Sequence, residues 1–413
     1  MTAGNAFFPE AADRYASANA GTLRWMLDRP LLGAGFLNTK VNSLTLADYG
    51  EADGLRGPDY TYGWIQGRGL EALVSHAAFF ETRDAALSRR LDEAGRSLFA
   101  RIKELQARDG HVYFRYDAGL RPVRADRDGA VTAQEPAGDV FTYSDAFAAK
   151  GLVAAAARYA PEELPGHLRY LADVIAAIED GRFQMGEEKP LGGEALAGEP
   201  DDFGPRMILL GGAGMLERCG LSDHTAYAQR FIDHVIENHL DTETGLLRNV
   251  PGGDECNVGH GIEFAGFALD HAPVRRNAAL VATLERILFA SFRASFAECG
   301  LHLTVSVSSG EKLSPYRPWW SLPETIRTAA LCHQLTGSAD SLAIWQEADS
   351  AFFDHYWRGT PAIAYQTRTA DGPTDYVPAT PDLDPGYHTG LSFLAAIRVA
   401  EALSTSHTAY ASR

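Results

Sequence analysis

Two histidines stand where a helix would begin. His260 lies in Gly259-His-Gly-Ile-Glu-Phe264 and His388 in Gly386-Tyr-His-Thr389, each at the end of a loop rich in Gly, Pro and Asp and at the start of a run with helical apolar spacing. Glu263 follows His260 by three residues and Glu324 follows Trp320 by four, so each pair would share one helix face. A carboxylate beside an imidazole raises its basicity and fixes its tautomer, which a proton-transferring histidine needs near neutral pH. Trp319, Trp320 and Tyr387 carry flat apolar rings that suit the C–H face of a sugar, while Arg68 and Glu324 can hydrogen-bond its hydroxyls. Trp64 with Arg68, in Tyr62-Gly-Trp-Ile-Gln-Gly-Arg68, and Arg206, in Gly204-Pro-Arg-Met, complete the candidates. A single histidine at a helix start is often a structural cap. Two histidines and two glutamates at the starts of several helices are harder to explain by packing, and they describe a carbohydrate pocket with His260 and His388 as its proton-transfer pair.

The elements that must position these residues are helices. Apolar residues recur at i, i+3, i+4 over Trp64–Thr82, Ala85–Ala107, Tyr143–Tyr159, Glu162–Asp180, Pro205–Cys219, His224–His239, His260–Asp270, Arg276–Cys299, Trp319–Leu335, Ser338–Trp357 and Tyr387–Leu403, and more weakly over Ala11–Leu27. Very few stretches alternate as strands do. Taken in order, the long loops Gly186–Gly204, Asn249–Gly259, Ser308–Pro318 and Arg368–Gly386 each precede an even-numbered helix, where the candidate residues also cluster. Helical hairpins repeating at intervals of roughly 55 to 80 residues predict an all-α (α/α)6 barrel with short β-hairpins in the loops at one mouth. No composition break or flexible linker divides the chain, so residues 1–413 are expected to form one catalytic domain.

Composition narrows the function classes. A formal net charge of -17 makes nucleic acid or an anionic membrane surface an unfavourable partner. The four cysteines, Cys219, Cys256, Cys299 and Cys332, lie far apart without CxxC or Cys/His spacing, so neither a zinc site nor a disulfide framework is indicated. No HExxH or tightly spaced ligand set appears either, and the chemistry is expected to need neither metal nor cofactor. No apolar run approaches the length of about 18 residues that a membrane span needs, and the first ten residues lack a signal-peptide pattern, so a cytoplasmic location is expected. The expected partner is a small sugar; pairing into a homodimer stays open. Gly211-Gly212-Ala-Gly214 follows no strand and lacks the Gly-Lys-Ser/Thr ending of a phosphate loop, and it reads as close helix packing.

These motifs resemble the N-acylglucosamine 2-epimerase family, which includes aldose-ketose isomerases and cellobiose 2-epimerases. The likeness spans nearly the whole chain and rests on Gln66-Gly-Arg68, Asn257-Val-Gly-His-Gly-Ile-Glu-Phe264, Trp319-Trp320 with Glu324, and Tyr387-His388. It implies a barrel in which His260 and His388 move a proton on an open-chain sugar through an enediolate, with Arg68, Glu263 and Glu324 holding the carbonyl end. Val258 and Phe264 stand where the family has Pro and Trp, Thr389-Gly390 follows His388 where many relatives have Pro-Arg, and Arg206-Met-Ile-Leu-Leu210 lacks the third histidine of the isomerase and cellobiose branches. Epimerisation and aldose-ketose isomerisation both remain open. So do glycoside hydrolysis by paired carboxylates, with Glu324 and Glu263 or an Asp of Asp201-Asp202, and a non-catalytic binding role.

Overall fold

The structure, a computed structural model, describes residues 4–126, 128–376 and 382–411; residues 377–381 of the expected loop Arg368–Gly386 lie outside them. The described helices of three turns or more are α1 (Gly4–Leu27), α2 (Gly63–Phe80), α3 (Ala85–Asp109), α4 (Tyr143–Tyr159), α5 (Leu164–Glu179), α6 (Gly204–Arg218), α7 (Tyr227–His239), α8 (Val258–Asp270), α9 (Ala278–Ser295), α10 (Ser321–Thr336), α11 (Ala339–Ala351) and α12 (His388–Ala411). They fall into two compact units. One comprises Met26–Tyr227 and Thr380–Tyr387, and the other Met1–Trp25, Ala228–Ala379 and His388–Arg413. None of the described helices is long and apolar enough to cross a membrane.

In both units a helix buried on nearly all sides alternates with one buried along a single stripe. In α8 only His260 and Asp270 are partly exposed, whereas its successor α9 buries Val281, Leu284, Ile287, Leu288, Ser291, Phe292 and Ser295, one face of a 3.6-residue period. The first unit repeats the arrangement with α2 then α3, and with α4 then α5. Small residues permit the close approach. A Cβ on Gly266 of α8 would meet the Thr328 hydroxyl of α10 at 2.4 Å, and that hydroxyl donates to the Ile262 carbonyl at 2.9 Å.

Short strands clamp the starts of the buried helices by one repeated scheme: the strand entering such a helix pairs with the strand leaving the amphipathic helix after it. Thr61–Tyr62 pairs with Arg115–Tyr116 and Phe141–Thr142 with Phe183–Gln184 in one unit. In the other, Glu255–Asn257 pairs with Thr304–Ser306, and Arg317–Pro318 with Thr367–Thr369. Local hairpins, such as Val123–Ala125 with Val131–Ala133, add to these.

Two boundaries depart from the sequence expectation for identifiable reasons. α1 begins at Gly4 rather than Ala11 and runs through Pro9, because Phe7 and Phe8 are anchored against the Trp345 ring at 5.3 and 5.7 Å. α9 stops at Ser295 because the chain turns tightly at Glu298, with φ of 55°, to pair Phe296–Ala297 with Gly300–Leu301.

A buried carboxylate ties three helices of the first unit. Asp145 forms a capping box with Thr142 at the start of α4, accepts from the Tyr170 hydroxyl of α5 at 2.6 Å, and accepts from the Val112 amide just beyond α3 at 3.0 Å. His111 lies between Asp145 Oδ1, 3.3 Å from Nδ1, and the Gly138 carbonyl, 2.9 Å from Nε2. Both partners only accept, so the ring donates from both nitrogens as an imidazolium. Burial opposes that charge, but Asp145 and the carbonyl outweigh it and the histidine's pKa is raised from 6.5. A raised folded value means that the stabilisation is fully present below the unfolded pKa and is lost as pH rises through the folded one. Thermal melts across pH 5.5 to 9 should show the wild type's advantage over His111→Gln, about 1 kcal/mol or more at the acid end, shrinking as pH rises; a pH-independent gap would contradict the assignment.

Candidate functional site

The unit containing α8, α10 and α12 brings together six of the candidates, His260, Glu263, Trp319, Trp320, Glu324 and His388. The Asn257 side chain caps α8 by accepting from the His260 amide at 3.2 Å, which fixes the backbone of the histidine at the helix start. Trp320 directly precedes α10, and His388 opens α12. The His260 ring lies 5.5 Å from the Trp320 ring and the His388 ring 5.6 Å from it, each inclined by 35°. Trp320 is only partly buried, so both imidazoles border an indole that retains exposed surface. Gly259 makes this possible, because a Cβ there would meet Trp320 Cη2 at 2.4 Å and Cζ3 at 2.5 Å.

Behind His388 lies a charged network with almost no solvent access. Glu324 Oε1 is 3.0 Å from His388 Nδ1, and Glu263 Oε1 is 3.7 Å from the same atom. A carboxylate oxygen accepts, so Nδ1 carries a proton toward Glu324 and Nε2 is left as the end that can exchange one. The other oxygen of Glu324 is 3.0 Å from Arg327 Nη1, and Arg327 Nη2 donates to the Ser392 hydroxyl of α12 at 2.8 Å. Glu263, Glu324 and Arg327 are 1%, 0% and 3% exposed. Glu324 has no exposed surface, and its side chain faces the imidazole. Trp319 is likewise buried: its indole N–H donates to the Thr389 hydroxyl at 3.2 Å, bracing the first turn of α12.

His388 Nδ1 and one oxygen from each of Glu263 and Glu324 lie within 4.8 Å of one another, a spacing that could seat a metal ion. Glu324 already meets a cation through one oxygen and a ring nitrogen through the other, so its donor set fits the guanidinium of Arg327 better than an additional ion.

In the other unit, Arg68 is set among aromatic faces, its guanidinium carbon 4.7 Å from the Trp64 ring centroid, 4.1 Å from Phe147 and 5.5 Å from Tyr387. The Trp64 indole nitrogen is buried without a hydrogen-bond partner among the described residues. Tyr387 is buried, and its hydroxyl accepts from the ammonium of Lys150 at 2.6 Å, which also lies 3.2 Å from Glu71. Arg206 is paired with Asp201 at 2.8 Å. Asp202 accepts from the Gly204 amide at 2.7 Å, and burial pushes its carboxyl up to about 6 although that hydrogen bond works the other way.

Sequence reasoning passed over Arg327, Ser392, Lys150 and Glu71. Arg327 follows Glu324 by three residues and Lys150 interrupts the alanine-rich run Ala146–Ala156, so two of the four left a trace.

No family model matches the chain, and no curated protein matches it by sequence. Among solved structures it is similar to the cellobiose 2-epimerase from Bacillus thermoamylovorans B4167, with TM-score 0.72 at 16% identity over 95% of this chain and 99% of that one. It is also similar to a D-mannose isomerase, with TM-score 0.68 at 12% identity over 94% and 97%. The fold is an (α/α)6 barrel. The expected resemblance to the epimerase family is thus borne out at the level of fold. An unsaturated glucuronyl hydrolase specific for heparin is similar too, with TM-score 0.55 at 10% identity over 96% and 98%, so the fold by itself does not choose a reaction.

The contact between Gly259 and Trp320 gives a direct check on the site. Gly259→Ala should displace the indole, change the near-ultraviolet circular dichroism and cost about 1–3 kcal/mol of stability. An unaltered spectrum and melting temperature would mean that the two are not in contact.

Proposed function

We propose that the protein is a carbohydrate epimerase or isomerase that moves a proton on an open-chain sugar by means of His260 and His388. One observation carries the reading: two imidazoles border the same partly exposed indole, and one of them is backed by a buried carboxylate at 3.0 Å. The Trp320 ring offers a platform for the C–H face of the sugar, with both histidines beside it. The C2 proton of an aldose is weakly acidic until its carbonyl is polarised. His388, its tautomer set by Glu324, presents Nε2 to take or return that proton, and His260 handles the second transfer; each contributes about 10²- to 10⁴-fold. Return to the same carbon gives an epimer and return to C1 a ketose. Their placement at the starts of α8 and α12 adds amide N–H groups and the positive helix ends, which favour the anionic enediolate. The structural similarity to epimerases and to a mannose isomerase supports the same class. Trp64, Arg68, Arg206 and Tyr387 belong to the other unit, and their part in substrate binding rests on residue type and sequence position, joined for Arg68 by the family resemblance.

A second reading, hydrolysis of a glycosidic bond, is favoured by Asp202, whose carboxyl near 6 is in the range of a general acid. New reducing ends released from an oligosaccharide, and lost in Asp202→Asn, would support it.

The deciding experiment incubates the protein in deuterated water with mannose, glucose, fructose, N-acetylmannosamine or cellobiose and follows label at C1 and C2 by NMR. At least one sugar should take up deuterium, and His260→Ala and His388→Ala should each slow uptake by about 10²-fold or more with helical circular dichroism intact. Undiminished uptake in both variants would defeat the proposal.

A further inference from the structure

We infer that Arg327 is a positioning residue that sets the charge facing His388 and so keeps this imidazole able to accept a proton. The inference rests on the proposed role of His388 and adds a residue to it. Two carboxylates face one nitrogen, Glu324 at 3.0 Å and Glu263 at 3.7 Å from His388 Nδ1. An opposite charge within about 4–6 Å favours a histidine's charged form by about one to three units, so two unopposed carboxylates would hold the ring as a permanent imidazolium with no site for an incoming proton. Arg327 removes much of that excess. Its Nη1 is 3.0 Å from Glu324 Oε2, so the carboxylate that orients the ring is itself neutralised from the far side.

The guanidinium is built into place. Nη2 donates to Ser392 at 2.8 Å, one helical turn beyond His388 on α12, and the Phe267 ring of α8 lies 4.6 Å from the guanidinium carbon. Arg327 therefore spans the three helices that carry His388, Glu263 and Glu324, and at 3% exposure it acts with little solvent screening. Within this unit His260 of α8 and His388 both border Trp320, the Trp319 ring lies 6.4 Å from His388, and on α1 the neutral Asn19 donates to the Gly390 carbonyl while Tyr15 stacks on Phe393. Arg327 is the cation among them whose charge does not depend on pH in the working range.

The test follows the His388 ring resonances against pH by NMR, assigned with His388→Gln, alongside the acidic limb of the pH profile of C2 exchange. Arg327→Met should move both to higher pH by about one unit or more. Glu263→Gln, which keeps Arg327, should move them to lower pH, and Arg327→Met/Glu263→Gln should bring them back toward the wild type. Arg327→Lys should stay near the wild type. If Arg327→Met stays folded and neither readout moves, or if the charge-compensated variant stays as shifted as Arg327→Met, the inference is wrong and Arg327 is only a strut. Should Arg327→Met fail to fold, Glu263→Gln decides: an unmoved titration overturns the inference. Should the wild type exchange no sugar, the proposed function fails separately, and the ring titrations still decide the role of Arg327.

Discussion

Everything at the site hangs on Glu324, a carboxylate with no exposed surface that is held by an imidazole on one side and a guanidinium on the other. A buried charge is tolerable only when all its partners are in place, since removing one leaves an uncompensated ion in a medium that solvates it poorly. Seating Glu324 therefore demands that α10 and α12 meet in one register, with Arg327 reaching Ser392 and His388 reaching back. The same contact that makes the fold specific hands His388 its tautomer. Here stability and chemistry cannot be separated, because the group that orients the ring also locks the helices.

The strand clamps explain why the candidate residues sit at helix starts. Each clamp fixes the segment entering a buried helix to the segment leaving its amphipathic partner, as Glu255–Asn257 does with Thr304–Ser306 just ahead of His260. Backbone precision is thereby concentrated at the N-terminal ends, where unpaired amide groups and the helix dipole also favour negative charge. An inward-facing side chain in the first turn of such a helix is held on a rigid mount, while the amphipathic helices need only keep one face apolar.

Much of the architecture was legible because buried and half-buried helices leave different periodicities, and α4 was bounded to the residue at Tyr143–Tyr159. Departures occurred where a distant partner decided the outcome. Pro9 reads locally as a boundary, but Phe7 and Phe8 find Trp345 more than 300 residues away and the helix continues. Strands of two or three residues are too short to display alternation, so their pairing could not be read. At the site, residue types and spacing picked out His260, His388, Glu263, Trp320 and Glu324, which the fold gathers in one unit. Spacing along one helix could offer Glu263 only His260 as a companion, whereas in space its carboxylate lies 3.7 Å from His388, on another helix. Arg327, three residues after Glu324, looks in sequence like a surface ion pair, and only burial gives it weight.

The unit that holds both histidines is assembled from separated stretches of chain. Asn19 of α1 donates to the Gly390 carbonyl at 3.1 Å across 371 positions, Tyr15 stacks on Phe393 at 4.4 Å, and Trp345 donates to the Tyr15 hydroxyl at 2.9 Å. The first turns of α12, and with them His388, gain their bed only when α1 is recruited from 371 positions earlier in the sequence. Closing so long a loop is entropically slow, which makes this union a late event in folding. A nascent chain thus carries α1 waiting for a mate, because the Gly390 carbonyl that receives Asn19 is made 371 positions later.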